Sequence, residues 1–225
     1  MSKPRISNDT TSDRGHGRIV VLSGPSGVGK STLAQAVIAS TPGIVRSVTY
    51  TTRPPRPGEV DGSDYHFISP EAFLQRSGAG EMLESATVHN YLYGTSRLNV
   101  DHLRQQGLDV LLVIDYQGAA ALRQQHVEAL YIFVLPPSMA ALEQRLRQRH
   151  ADHEASLRTR LAIAPTEMTQ YQDYDYVIVN DDLKSATQQL QAIILADRCC
   201  LSRLDRRYPI VAELDGWRHE RVSSA

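Results

Sequence analysis

The run Gly24-Pro25-Ser26-Gly27-Val28-Gly29-Lys30-Ser31 has the spacing G-x-x-x-x-G-K-S. Glycines there let successive backbone N–H groups turn toward one anion, and a helix starting at the lysine adds positive potential. Lys30 then carries a mobile charge to the outer phosphates of a nucleoside triphosphate, and the Ser31 hydroxyl is placed to ligate Mg²⁺. A second anion site is suggested by Thr49-Tyr50-Thr51-Thr52-Arg53-Pro54-Pro55-Arg56-Pro57-Gly58-Glu59. Arg53 and Arg56 sit on a loop stiffened by prolines, and a guanidinium fork matches phosphate oxygens bidentately. Tyr65 and Tyr93 either add phenolic donors to that phosphate or pack elsewhere. Alone, the loop reads equally well as a solvated basic segment. Arg145, Arg147, Arg149, Arg158 and Arg160 crowd a helix–turn–helix region, with Arg145 and Arg149 on one helical face. Glu143 stands four residues before Arg147, so Arg147 reads as part of an ion-paired surface, and Arg158 with it.

Such groups need a scaffold. Ile19-Val20-Val21-Leu22, Val110 to Ile114, Tyr131 to Leu135 and Tyr176 to Val179 are short runs apolar on both faces. That pattern suits strands of a helix-covered parallel sheet. Helices are predicted from Lys30 to Ala39, from Ser138 (a plausible N-cap) through His150, and from Glu154 to about Tyr171 with a break or kink at Pro165. Another is predicted from an Asp181 or Asp182 cap to about Cys200, turning Leu183, Ala186, Leu190 and Ile193 or Ile194 inward. The alternation implies a three-layer α/β domain. From about Val45 to Thr95, Pro54, Pro55, Pro57, several glycines and one short helical stretch (Pro70–Arg76) predict an inserted lobe of short mixed strands.

The 225 residues carry 24 basic and 25 acidic side chains, a net charge of −1, with 41% apolar residues. That balance disfavours a nucleic-acid-coating protein and suits a chain with a real core. No apolar run approaches the roughly 18 residues of a membrane span, and the N-terminus lacks the apolar core of a secretory signal. Neither a disulfide framework nor a four-ligand zinc site can be built from the adjacent Cys199 and Cys200, so the expected setting is cytoplasmic.

The ordered pieces GPSGVGKS, TTRPPRPGE, DGSDYHF, YGT, IDYQG, PPS and DYDYVIVNDD resemble the guanylate kinases over about residues 18–198. The resemblance implies an α/β fold: a three-layer P-loop core with a parallel sheet, an inserted GMP-binding lobe (about 45–95) and a helical lid (about 145–165). It places this domain at 18–200, between a disordered tail (1–17) and a C-terminal extension (201–225). It implies Mg²⁺-dependent transfer of the terminal phosphate of ATP to GMP, and to dGMP, with neither membrane nor nucleic acid as partner. By similarity, Gly24 through Thr32 (Gly24, Pro25, Ser26, Gly27, Val28, Gly29, Lys30, Ser31 and Thr32) hold ATP, with Ser31 on the metal. Asn180 then lies near adenine or serves as a helix cap. Lys30, Arg145, Arg149 and Arg160 act on the migrating phosphoryl group. Arg53, Arg56, Tyr65 and Tyr93 take the GMP phosphate, and Thr49, Glu84, Thr95 and Asp115 take the guanine end. A carboxylate at Glu84 suits guanine's two adjacent N–H donors, which adenine does not offer.

Three departures from the family pattern stand out. Where relatives carry two acids in L-D-I-D-x-Q-G, this chain has Leu112-Val113-Ile114-Asp115. Read naively, Asp115 ends an apolar strand as a metal-side acid; similarity makes it the GMP-side acid and leaves Val113 at the metal side, where a lost carboxylate would weaken Mg²⁺ organisation. Asn90-Tyr91 replaces a usual Gly-Asn before Leu92-Tyr93, which would reshape the acceptor pocket. The lid turn Arg149-His150-Ala151-Asp152-His153 lacks the usual glycine, and its histidines are either pH-sensitive or simply solvated. Two other functions fit part of this pattern: a GMP-binding module that has lost catalysis, and a kinase for another phosphorylated acceptor such as a ribose bisphosphate.

Overall fold

Strands and helices alternate through a computed structural model that describes residues 16–88, 90–148 and 154–204, together with Ile210, Glu213 and Leu214. In chain order they are β1 (Ile19–Ser23), α1 (Lys30–Ser40), β2 (Ile44–Arg46), β3 (Tyr50–Thr51), β4 (His66–Phe67), α2 (Pro70–Gly78), β5 (Met82–Val88), β6 (Tyr91–Ser96) and α3 (Arg97–Gln105). There follow β7 (Asp109–Val113), α4 (Tyr116–Gln124), β8 (Ala129–Leu135), α5 (Met139–Gln148), α6 (Glu154–Thr169), a 3-10 turn (Gln170–Asp173), β9 (Tyr176–Val179), α7 (Leu183–Arg198) and α8 (Leu201–Leu204). The residues lying outside this description include Arg149, His150 and His153 of the lid turn and all but Ile210, Glu213 and Leu214 of the terminal stretch after Leu204.

The large sheet has the order β2-β7-β1-β8-β9 with every pair parallel. Alternate residues of β1 face opposite layers. Val20 and Leu22 join Leu33, Ala34 and Val37 of α1 and Ala186, Leu190 and Ile194 of α7. Ile19 and Val21 join Val100 of α3 and Ala119 and Leu122 of α4. Each fully buried leucine here contributes about 1.5–3 kcal/mol of transfer free energy, so the two covered faces dominate the fold's stability.

Three expectations are corrected. The β9 run is not covered on both faces: it is the sheet's edge, and Tyr176, Val177 and Val179 are exposed while Ile178 is buried. Leu183 lies exposed in the first turn of α7, whose cap is Asp182, accepting from the Ser185 N–H at 2.8 Å. No break occurs at Pro165: α6 runs through it, because a proline removes one N–H donor and the remaining turns still bond. Leu142, Leu146, Leu157 and Ala164 also knit α5 to α6 in a separate small core.

The second sheet, β4-β3-β6-β5, is mixed: β3 runs parallel to β4 and antiparallel to β6. It forms from the proline- and glycine-rich stretch, where short runs between turns cannot build longer strands.

At the opposite end of β7 from the cleft, Asp109 is fully buried. Burial opposes its ionisation, but bonds from the Arg18 backbone N–H and from the Arg198 and Arg203 side chains, each at 2.8 Å, hold its carboxyl below the ordinary range. Arg203 also pairs with Asp197, which ties α8 to α7 and to the sheet.

Candidate functional site

β1 and β7 are neighbours, with Leu22 opposite Val113, so the loop after β1 and the segment after β7 emerge side by side at the carboxyl end of the sheet. Chain order reverses at β1, and a crevice outside the strand ends at such a point is where open α/β sheets hold ligands. A cavity of about 480 Å³ opens there. The glycine-rich loop supplies one wall through Gly24, Ser26, Gly27, Gly29, Lys30 and Ser31. Gly24, Gly27 and Gly29 have φ of 147°, 84° and 101°, values that side chains other than glycine resist. A Cβ at Gly24 would also stand 2.3 Å from the Val134 carbonyl oxygen. The loop is thus a turn that glycines alone allow, the conformation in which backbone N–H groups can be turned toward an anion. Lys30 Nζ donates to the Gly24 and Pro25 carbonyl oxygens at 2.6 and 3.1 Å, which holds the ammonium over the loop.

The second sheet supplies the opposite wall, with Thr49, Arg53, Arg56, Tyr65, Glu84 and Tyr93 all lining the same cavity. Arg53 is nearly buried and rigidly held. It donates to the Pro54 carbonyl oxygen at 2.7 Å and to both oxygens of Glu59 at 2.7 and 2.9 Å. Glu59 also accepts from the Arg56 N–H at 2.7 Å. Burial opposes its charge, yet the Arg53 bonds and that N–H hold its carboxyl below the ordinary range. Tyr65 and Tyr93 meet edge to face with centroids 6.0 Å apart, and the Arg53 guanidinium lies 5.3 Å from the Tyr65 centroid. These contacts hold the Arg53 guanidinium in one place on the cavity wall before any ligand arrives.

Glu84 is buried at the far end, where it accepts the Thr95 hydroxyl at 2.6 Å. Burial pushes its carboxyl up to about 7; the Thr95 bond opposes that and the nearby Asp115 charge adds to it. Asp115 lines the cavity, caps α4 and accepts from the Gly118 N–H at 2.9 Å. Gly118 is the contact that lets the two acids approach: a Cβ there would lie 2.4 Å from a Glu84 carboxylate oxygen. The substitution at the β5–β6 turn is absorbed locally, since Asn90 takes φ of 68°, a left-handed conformation that asparagine tolerates. Its neighbour Tyr91 lines the cavity with Ala86 and Val88.

Arg160 reaches the cavity from α6, nearly buried. Arg145 does not line it: its guanidinium donates behind the loop to the Val28 and Asp181 carbonyl oxygens at 3.4 and 3.2 Å. Asn180 is not the cap of α7. Buried, it donates to the Val28 carbonyl oxygen at 2.8 Å and braces the loop from beneath. Pro25, Val28, Thr32 and Thr95 are absent from the cavity wall, Thr95 acting there only through its bond to Glu84. Arg147 pairs with Glu143 at 2.6 Å on the surface, and Arg158 is exposed. Seven wall residues are not among the predicted site residues: Pro54, Ala86, Val88, Tyr91, Val113, Ile114 and Glu167. Only Glu167 carried a usable signal, being two helical turns from Arg160 and therefore on the same face.

Among the described residues no three His, Cys, Asp or Glu side chains cluster as a self-sufficient metal site. No helix among them is long and apolar enough to cross a membrane.

A guanylate kinase family model matches residues 16–197. The guanylate kinase of Symbiobacterium thermophilum is 50% identical over 182 residues, covering 81% of this chain and 86% of the relative. That of Alkalilimnicola ehrlichii is 44% identical over 197 residues, 88% and 96% respectively. The crystal structure of guanylate kinase from Anaplasma phagocytophilum aligns with a TM-score of 0.71 at 36% identity, covering 84% of this chain and 90% of that one.

Proposed function

We propose a division of labour in the cleft from one premise: the chain belongs to the guanylate kinase family and catalyses the ATP-dependent phosphorylation of GMP to GDP. The observation that carries the assignment is the facing of Lys30 and the Arg53/Arg56 clamp across one cavity, with Glu84 at its far end. The donor's phosphates lie in the glycine loop. Arg53, Arg56, Tyr65 and Tyr93 take the acceptor phosphate, and Thr49, Glu84, Thr95 and Asp115 take guanine. Lys30 and Arg160 neutralise charge on the migrating phosphoryl group. Phosphoryl transfer asks mainly for alignment and charge neutralisation, which these groups provide.

Mg²⁺ fits this cradle. Three positive-φ glycines shape the loop and Ser31 lines the cavity, and Mg²⁺ is usually held by one or two protein oxygens plus substrate phosphates and waters. When bound it supplies charge neutralisation at the transferring phosphate. Arg145 and Asn180, bound behind the loop, support the loop's shape rather than touch the phosphates. The non-catalytic module finds support only in Val113, and the ribose bisphosphate reading is opposed by the buried Glu84–Thr95 pair, which suits a base edge.

Two outcomes follow. In a coupled assay with GMP, dGMP, AMP, UMP and CMP as acceptors, the guanine nucleotides are used with at least ~100-fold higher kcat/KM, because the others leave buried polar groups unpaired. Equal use of all five, or efficient transfer to ribose phosphates with none to GMP, overturns the assignment. Gly118→Ala drives its methyl against Glu84, displaces the carboxylate, and raises the KM for GMP about 10–100-fold while the KM for ATP stays within about twofold. Steady-state kinetics with each substrate varied in turn measure the split, and equal changes in both KM values count against it.

A further inference from the structure

Three carboxylates line the cleft: Glu84, Asp115 and Glu167. Two of them are committed. Glu84 is buried and accepts from Thr95, and Asp115 caps α4 beside it. Glu167 is on the other side, with the phosphate loop: its Oε2 is 3.4 Å from the Ser26 backbone N–H, a long contact that leaves most of its acceptor capacity for other groups. It comes from α6, two turns beyond Arg160, while Leu157 and Ala164 of the same helix pack against α5 and fix which face is turned inward.

A carboxylate at the rim of a polyphosphate cradle is an electrostatic contradiction. Two like charges a few ångströms apart in a partly desolvated cleft repel by several kcal/mol unless a cation lies between them. Burial, helped by the Asp115 charge, holds Glu167 above its ordinary pKa, while the Lys30 ammonium, the Ser26 N–H and the Arg160 guanidinium pull it the other way. Lys30 is already bonded to two loop carbonyl oxygens. The strand end beside the loop is Val113, which lines the cleft through its pairing with Leu22 and offers no carboxylate there. A divalent cation resolves the contradiction, and Glu167 is the carboxylate on that side that can face it.

Resting on the kinase reading above, we infer that Glu167 is the metal-organising carboxylate of this chain, orienting the Mg²⁺ that accompanies the donor nucleotide and doing from α6 what Val113 cannot do from β7. Its role is therefore to couple metal and nucleotide, a quantity separable from turnover.

The test is calorimetric. ADP is titrated into the full-length protein in excess Mg²⁺ and again in EDTA, and the ratio of the two dissociation constants measures the coupling. In Glu167→Gln the ratio falls at least about tenfold, the usual size of losing a group that orients a metal's ligands. Metal-free ADP binds the same or tighter, because the repulsion is gone. Glu167→Asp, which keeps the charge on a shorter arm, retains part of the coupling. GMP binding and the melting temperature stay at wild-type values. A wild-type ratio in Glu167→Gln overturns the inference, as does an equal loss in both media, which would mark a loop-bracing role only. Failure of the kinase reading looks different: the wild-type protein would then show no metal-linked ADP binding or no turnover of GMP.

Discussion

Lys30→Ala lowers kcat at least about a thousandfold, while GMP binds within about twofold of the wild-type affinity. The ammonium sits over the glycine loop on the Gly24 and Pro25 carbonyl oxygens, on the donor side of the cavity. Acceptor contacts come from a different sheet and a different loop. Charge that a preorganised cation neutralises at a transferring phosphoryl group is worth roughly 10³–10⁵ in rate for the comparable arginine of other phosphotransferases. Truncation leaves the backbone cradle in place, so the donor still binds, more weakly, and the loss falls on the chemical step. Single-turnover rapid quench gives the rate, and calorimetry with GMP alone gives the affinity. A variant turning over at the wild-type rate would remove Lys30 from the mechanism; a hundredfold loss of GMP affinity would mean that the two ends of the cleft are not independent.

Glu84→Gln comes next, with kcat/KM for GMP falling by about a thousandfold. In the proposed role the wild-type carboxylate accepts two donors from guanine, and each hydrogen bond to a charged group is worth about 1.5–3 kcal/mol. An amide can accept one of them but presents its own N–H₂ to the other. The pH dependence has a definite sign. The free carboxyl keeps its proton up to about 7 because burial disfavours the anion, and guanine needs the anion. Below that value GMP must first expel a proton, so lowering pH from 8 to 6 weakens binding by about tenfold through this group alone. Above pH 8 the contribution vanishes. The monophosphate itself titrates near pH 6 and burial also lifts the Asp115 carboxyl, so the Glu84→Gln profile supplies the correction: its slope reports those two groups without Glu84. Parallel profiles for the two proteins would show that Glu84 is already ionised well below 7 and would remove the acid-side penalty.

The donor half of the site was legible because its chemistry is local. Eight consecutive residues form the loop, a buried strand precedes it, and a helix starts at Lys30. Arg53 and Arg56 were ambiguous locally, equally readable as a solvated basic loop, and only the family resemblance singled them out; both line the cavity. The core strands and the Ser138 and Asp182 caps followed from short-range pattern and hydrogen-bonding capacity, with Ala141 and Ser185 donating as such caps require. What stayed hidden depends on residues far apart in the chain. α3 turns only Val100 and the half-buried Leu103 to the core, too short an apolar run to single out, and Asp115 looked like a strand-end acid although its side chain caps α4. Ile178 and Val179 look alike as letters, but the position of β9 at the sheet edge buries one and exposes the other. Gly118 matters because a carboxylate 34 positions earlier happens to fold against it. Glu167 is one acid in a helix whose inward face is known only once Leu157 and Ala164 are seen against α5.

The Asp109 node decides how short a stable version of this enzyme can be. A gene trimmed where the family match stops, at residue 197, would discard Arg198 and Arg203 and strand a fully enclosed anion with a single backbone donor. Stripping partners from such a charge typically costs about 3–5 kcal/mol, a large share of a domain's whole stability. The minimal expressible unit therefore runs through α8, past Leu204, even though every residue lining the cavity lies upstream.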